Sequence, residues 1–155
     1  MLQPINSLEF WSNRLKEAKR TRQKHFSVFV GGLPDTEHKK IIEKFIKNGD
    51  SVIDVGCGYG RCSDWFKNYV GVDFSPDFIE EARKLYPTKK FEIQDFLKLN
   101  YSDKSFEWAL SVGCKNMCIE NINLEYWEKV VKEMKRVAKR VLILEMIDVL
   151  NYEVF

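Results

Sequence analysis

The sequence predicts an α/β fold built on a parallel sheet. Three observations carry this. Short apolar, β-branched runs alternate with amphipathic helical stripes along the chain. A glycine-rich turn, Gly56-Cys57-Gly58-Tyr59-Gly60, follows the first apolar run. Acidic residues, Asp73 and Asp95, close the next two runs. Strands that alternate with helices imply parallel neighbours joined by right-handed crossovers.

The elements follow in order. Ser7 can cap a helix whose apolar residues Leu8, Trp11, Leu15 and Ala18 recur at helical spacing. Gly31-Gly32-Leu33-Pro34 breaks the chain, so residues 1–34 read as a basic helix and linker, and residues 35–155 as the main domain. A second helix begins at Asp35 or Thr36, carries Ile41, Ile42, Phe45 and Ile46 on one face, and ends at Asn48-Gly49. Ser51–Val55 is a buried strand that runs into the glycine turn, and residues 61–67 read as helical. Tyr69–Asp73 is the second strand. Ser75-Pro76 then opens a helix with a cap residue and a proline at the first helical position, and Pro87 stops it. Lys90–Gln94 and Phe106–Val112 are the third and fourth strands. The stripe Leu124, Trp127, Val130, Val131, Met134, Val137 and Ala138 forms a long helix with Trp127 in the core, and Arg140–Met146 is the fifth strand.

Composition narrows the function. The chain has 155 residues, 45% apolar and 31% charged, with a net charge of +2. That suits one globular domain and excludes a uniformly basic nucleic-acid binder or an acidic tail protein. Charge is uneven: residues 14–24 carry a net +5, so the rest carries −3. This segment is a solvated helix face or a lip toward an acidic substrate, and it offers nucleic acid only weak support. His25 and His38, beside basic residues, read as surface histidines. No apolar run approaches the roughly 20 residues of a membrane-spanning helix. Four cysteines are too few for a disulfide scaffold. Their spacings, C-x4-C and C-x3-C, differ from those of common zinc pairs, so no metal is expected. The expectation is a cytoplasmic chain without a leader or membrane segment.

The glycine turn sits where an open α/β sheet binds ligands, beyond the carboxyl ends of its strands. Its frame is Gly56, Gly58, Gly60, and Arg61 stands where a dinucleotide fingerprint has its third glycine. A bulky residue there argues against a pyrophosphate, and so against a NAD or nucleotide-sugar enzyme. Asp73, at the end of the second strand, is placed to accept both hydroxyls of a ribose. Asp95 can accept from an adenine amine.

These stretches, DVGCGYG (54–60), GVDFSPDFIEEAR (71–83) and QDFLKLNYSDKSFEWALSVG (94–113), stand in the order and spacing of a known family. The chain resembles the class I S-adenosylmethionine-dependent methyltransferases over about residues 35–146. The resemblance implies a Rossmann-like, doubly wound, mostly parallel sheet of order 3-2-1-4-5, with S-adenosylmethionine as cofactor. It implies that Asp54 faces the methionine ammonium, and that Gly56, Cys57, Gly58 and Gly60 line the methionine and ribose. Asp73 would bind the ribose and Phe74 cover an adenine face. Asp95 and the Phe96 backbone would read the adenine edge, and Ser111, Val112 and Gly113 would flank the sulfonium. The helix after the glycine turn would receive the methionine carboxylate.

Methyl transfer is a displacement that needs alignment more than acid–base help, so no catalytic residue is singled out. The acceptor, a small molecule or an acidic partner, would sit at Cys114-Lys115-Asn116-Met117-Cys118, oriented by Lys115 and Asn116. That loop lacks the Asp/Asn-Pro-Pro-Tyr/Phe signature of enzymes that methylate DNA bases and amides. Trp11 and Arg14 of the first helix would close over the ligands as a lid. The alternative is a non-catalytic cofactor-binding subunit whose acceptor site another chain completes. Family members usually add a helix and a hairpin after the fifth strand. Met146–Phe155 is too short for those, so most or all of strands six and seven are expected to be missing. Either Val149–Phe155 folds back as a short strand, or a homodimer covers the strand-five edge.

Overall fold

The computed structural model describes residues 13, 16, 35–115, 118–119, 122–145 and 152–155. The expected first helix, with Trp11 and Arg14, lies outside them except for Asn13 and Lys16, and so do His25 and Asn116. In chain order the elements are α1 (Asp35–Phe45), β1 (Ser51–Val55), a 3-10 turn (Ser63–Trp65), β2 (Asn68–Asp73), α2 (Pro76–Leu85), β3 (Lys90–Ile93), β4 (Phe106–Val112), α3 (Leu124–Val137), β5 (Ala138–Leu144) and β6 (Tyr152–Val154). The sheet order is β3-β2-β1-β4-β5-β6. The first five strands are parallel, and β6 is antiparallel to β5. This is the expected 3-2-1-4-5 order with one short strand added.

Strand alternation divides the core in two. Val52, Tyr69, Phe91, Trp108, Leu110, Leu142 and Leu144 pack with Ile41, Ile42 and Ile46 from the first helical segment and Ile79 and Ala82 of α2. Ile53, Val55, Val72, Ala109, Val141 and Ile143 pack with Trp127, Val130, Met134 and Val137 of α3. Helices on both faces make the sheet doubly wound. The chain reverses its direction of travel across the sheet between β1 and β4, which opens a crevice at their carboxyl ends.

Two helix starts are capped by side chains, the first of them the expected Ser75. Ser75 has extended backbone and its Oγ accepts from the Phe78 N–H, with Pro76 at the first helical position. Asn123 caps α3 by accepting from the Tyr126 N–H at 2.7 Å. β5 starts two residues before the expected Arg140, because no loop separates it from α3.

Two expectations are corrected. Residues 61–67 do not form an α-helix. Turns occupy Gly58–Cys62, a single 3-10 turn spans Ser63–Trp65, and Phe66 is already extended. Three positive-φ glycines (Gly56 79°, Gly58 54°, Gly60 83°) use up the turn, and Asn68 begins β2 only seven residues after Arg61. No helix N-terminus therefore stands after the glycine turn to receive an anion. His38 is not at the surface. It is fully buried, and its Nε2 lies 3.0 Å from the Glu145 carbonyl at the end of β5.

The tail folds back. Leu142, Ile143 and Leu144 pair with Val154, Glu153 and Tyr152, and Val141 and Phe155 exchange backbone hydrogen bonds at 2.8 and 2.9 Å. The Tyr152 ring meets Phe45 at 5.4 Å, and the Lys135 ammonium lies 3.8 Å from the centre of the Phe155 ring. The chain itself thus takes the outer edge of β5, opposite β4. No described helix is long and apolar enough to cross a membrane.

Candidate functional site

The site is built at the carboxyl ends of β1, β2 and β4. Past Val55 the chain hooks over β2, where the Gly56 and Cys57 N–H groups both donate to the Val72 carbonyl at 2.9 and 3.0 Å. This brings Gly58 beside Asp73. One Asp73 carboxylate oxygen accepts from the Gly58 N–H at 2.9 Å, and the other accepts from the Ser75 N–H at 2.9 Å. Asp73 therefore ties the glycine turn to the start of α2. A carboxylate offers about four acceptor positions, so beside these backbone groups Asp73 keeps capacity for a ligand hydroxyl.

Asp54 lies on the neighbouring strand and the same face, opposite Gly71. Its Oδ2 accepts from the Tyr69 hydroxyl at 2.7 Å. Asp54 and Asp73 are only 2% and 6% exposed. Burial pushes both carboxyls up to about 6. The Tyr69 hydrogen bond and the Arg61 charge hold Asp54 down against that, while the Ser75, Gly58 and Phe74 backbone groups do so for Asp73.

The remaining expected residues divide. Phe74 and Phe96 meet edge-to-face at 5.5 Å between β2 and the turn after β3. Ser111 is buried and its Oγ donates to the Val55 carbonyl at 3.0 Å, so it ties the end of β4 to the end of β1. Gly113 has φ 83° and donates to the Leu144 carbonyl at 2.8 Å, and Val112 is half-buried before it. Asp95 is exposed, and its Oδ1 accepts from the Leu97 N–H at 2.9 Å, which shapes the turn that presents Phe96. Lys115 is paired with Glu153 of β6. Cys114 Sγ lies 3.8 Å from the Val55 and Gly56 carbonyls. Among the described residues no group of three or more His, Cys, Asp or Glu side chains could hold a metal ion.

Sequence reasoning missed Tyr69 and the tail residue Glu153. Neither carries a local signal, since each acts through a partner distant in the chain.

The arrangement suits a ligand that brings hydroxyls and positive charge. Two buried carboxylates at the crevice would repel a pyrophosphate, and the α2 N-terminus beside Asp73 is already engaged by that carboxylate. Gly58 leaves room, for a Cβ added there meets only Phe78 at 3.9 Å. Donor chemistry and space thus fit a sulfonium-bearing nucleoside.

A doubly wound sheet with these acidic strand ends defines a Rossmann-like nucleoside-cofactor domain. The chain belongs to the Methyltransferase domain family, whose model matches residues 53–142, and the family's cofactor is S-adenosylmethionine. It is 36% identical over 75 residues to 2-methyl-6-phytyl-1,4-hydroquinone methyltransferase of Synechocystis sp., covering 42% of this chain and 24% of that one. It is 32% identical over 114 residues to phosphoethanolamine N-methyltransferase 1 of Arabidopsis thaliana, covering 66% and 22%. A TehB-like SAM-dependent methyltransferase from Corynebacterium glutamicum shares the fold, with a TM-score of 0.65, 21% identity, and coverage of 85% of this chain and 72% of that one. The chain spans 22–38% of the length of the curated relatives it matches.

Linkage gives the buried acids a sign. The folded-state value of about 6 for Asp54 exceeds its ordinary 3.8, so the folded state binds more protons between those values. Through this group, ligand-free stability falls as pH rises from about 4 to 6 and stays lower above. Asp54→Asn removes the buried charge. The variant is expected to be more stable than the parent at pH 7.5 by about 1–3 kcal/mol, a gap that shrinks toward pH 4. Urea unfolding at both pH values measures it, and a gap that does not change with pH contradicts the assignment.

Proposed function

We propose that this chain binds S-adenosylmethionine at the carboxyl ends of β1, β2 and β4 and methylates a small-molecule acceptor. The observation that carries the reading is Asp73, buried at the crevice and fixed by the Gly58 and Ser75 N–H groups, one on each carboxylate oxygen. In this reading Asp73 accepts the two ribose hydroxyls and Asp54 receives the ammonium. Gly56, Cys57, Gly58 and Gly60 give the backbone close approach. Phe74 covers an adenine face, while Asp95 and the Phe96 N–H meet its edge. Ser111, Val112 and Gly113 border the reacting end. Bound S-adenosylmethionine supplies a methyl group on a good leaving group. The chain's own part is to align the acceptor with that methyl and to keep water away.

The acceptor is placed beside the segment after β4. Lys115 already has an anionic partner in Glu153, so the pair forms a rim of that space rather than a free cation. Relatives whose names specify a phytyl hydroquinone and phosphoethanolamine favour a small molecule over a polymer. Trp11 and Arg14 of the first 34 residues complete the enclosure in this reading, and Asn116 adds a polar group. Edge pairing with a second copy would use β6, since β6 occupies Leu142–Leu144 of β5.

The test is transfer of label from methyl-labelled S-adenosylmethionine into fractionated host extract. Label in the small-molecule fraction is expected. Label in nucleic acid or protein overturns the acceptor class. Cofactor binding without transfer to any fraction overturns catalysis in favour of a non-catalytic binding subunit.

A further inference from the structure

The Tyr69 side chain is held from three directions. Its ring stacks on Phe66, nearly parallel with centroids 6.1 Å apart, and meets Phe91 edge-on at 5.8 Å. Its hydroxyl donates to Asp54 Oδ2 at 2.7 Å. Register explains the reach. Tyr69 stands opposite Val52, and Asp54 stands opposite Gly71, so the tyrosine crosses diagonally to the carboxylate past a residue with no side chain. A Cβ on Gly71 would come within 2.7 Å of the Phe91 ring and 2.8 Å of Cys57 Sγ. The pocket thus admits this ring in this pose.

The groups that bear on Asp54 are Tyr69 and Asp73 from β2, Arg61 and Cys57 from the glycine turn, and Cys114 from the segment after β4. Burial and the neighbouring carboxylate push the Tyr69 phenol far above its usual range, so it stays protonated and donates. A hydroxyl that donates to a buried carboxylate favours the charged form and fixes its rotamer.

We propose that Tyr69 is a positioning residue for cofactor binding, which holds the Asp54 carboxylate ionised and aimed at the cofactor's ammonium group. This rests on the cofactor reading given under Proposed function. It adds a residue that never touches the ligand but sets how tightly, and at what pH, the amino-acid end is held.

Tyr69→Phe removes only the hydroxyl and leaves the ring contacts. The full chain and the variant are titrated calorimetrically from pH 5.5 to 8 with two probes. S-adenosylhomocysteine carries the amino-acid end, and 5′-methylthioadenosine lacks it. At pH 7 the variant is expected to bind S-adenosylhomocysteine about tenfold more weakly, the scale of one hydrogen bond to a charged group. Methylthioadenosine affinity stays within about twofold of the parent. Asp73, also pushed up to about 6, acts on both probes, so the acid-side loss of S-adenosylhomocysteine affinity is read relative to methylthioadenosine, and that difference moves to higher pH in the variant. Equal weakening of both probes reduces Tyr69 to a structural role and overturns the proposal. So does unchanged S-adenosylhomocysteine binding with an unmoved midpoint. If the parent chain binds neither probe, the cofactor reading itself falls, an outcome distinct from those two.

Discussion

Asp73→Ala is expected to weaken S-adenosylhomocysteine binding by at least about a hundredfold. Two effects combine. The carboxylate offers one acceptor to each ribose hydroxyl, and bonds to a charged acceptor each contribute roughly 1.5–3 kcal/mol. It also fixes the Gly58 and Ser75 backbone, and without it the glycine turn loses its tie to α2. Asp73→Asn keeps an acceptor oxygen and should fall between parent and alanine. Loss of binding through unfolding is separable. The buried charge costs stability above about pH 6, so removing it should leave the urea midpoint near the parent's. Unchanged affinity in the alanine variant would show that the ribose lies elsewhere.

Gly60→Ala is expected to destabilise the protein by about 2–4 kcal/mol. Its φ of 83° already strains any side chain, by roughly 1–2 kcal/mol. The new Cβ would also come within 2.6 Å of two atoms of the Phe91 ring. That ring cannot swing aside freely, since Tyr69 meets it at 5.8 Å and Tyr86 at 6.4 Å. Overpacking of this kind costs about 1–3 kcal/mol. Pairing the change with Phe91→Leu should recover the steric part and leave the backbone part. Urea unfolding of the single and double variants separates them, and full rescue by the leucine would contradict the strain argument.

Strands and motif spacing were legible because they are local. Val52-Ile53-Asp54-Val55 announces a buried strand, the glycines announce the turn, and Ser75-Pro76 announces the start of a helix. Residues 61–67 misled because Cys62, Trp65 and Phe66 have helical spacing. Those side chains instead pack from a 3-10 turn, in a connection too short to hold an α-helix and still reach β2. His38 had a readable signal that its basic neighbours masked. It stands three and four residues before Ile41 and Ile42, on the buried stripe of α1.

Long-range partnerships were not legible. The Tyr69 contact with Asp54 depends on the β1–β2 register, and the Lys115 pair with Glu153 depends on the tail turning back on β5. Ser111 stands near the end of β4. Its hydroxyl ties two strand ends together at the Val55 carbonyl. The tail could equally have left β5 open for a second copy, and its apolar residues Val154 and Phe155 do not by themselves choose between the two.

The most direct test of the central claim is a crystal structure of the full chain with S-adenosylhomocysteine. The account predicts the ribose hydroxyls on the two Asp73 oxygens, the amino group facing Asp54, and the adenine beside Phe74 and Phe96. Ligand bound away from the ends of β1 and β2, or ligand whose ribose makes no contact with Asp73, would contradict it.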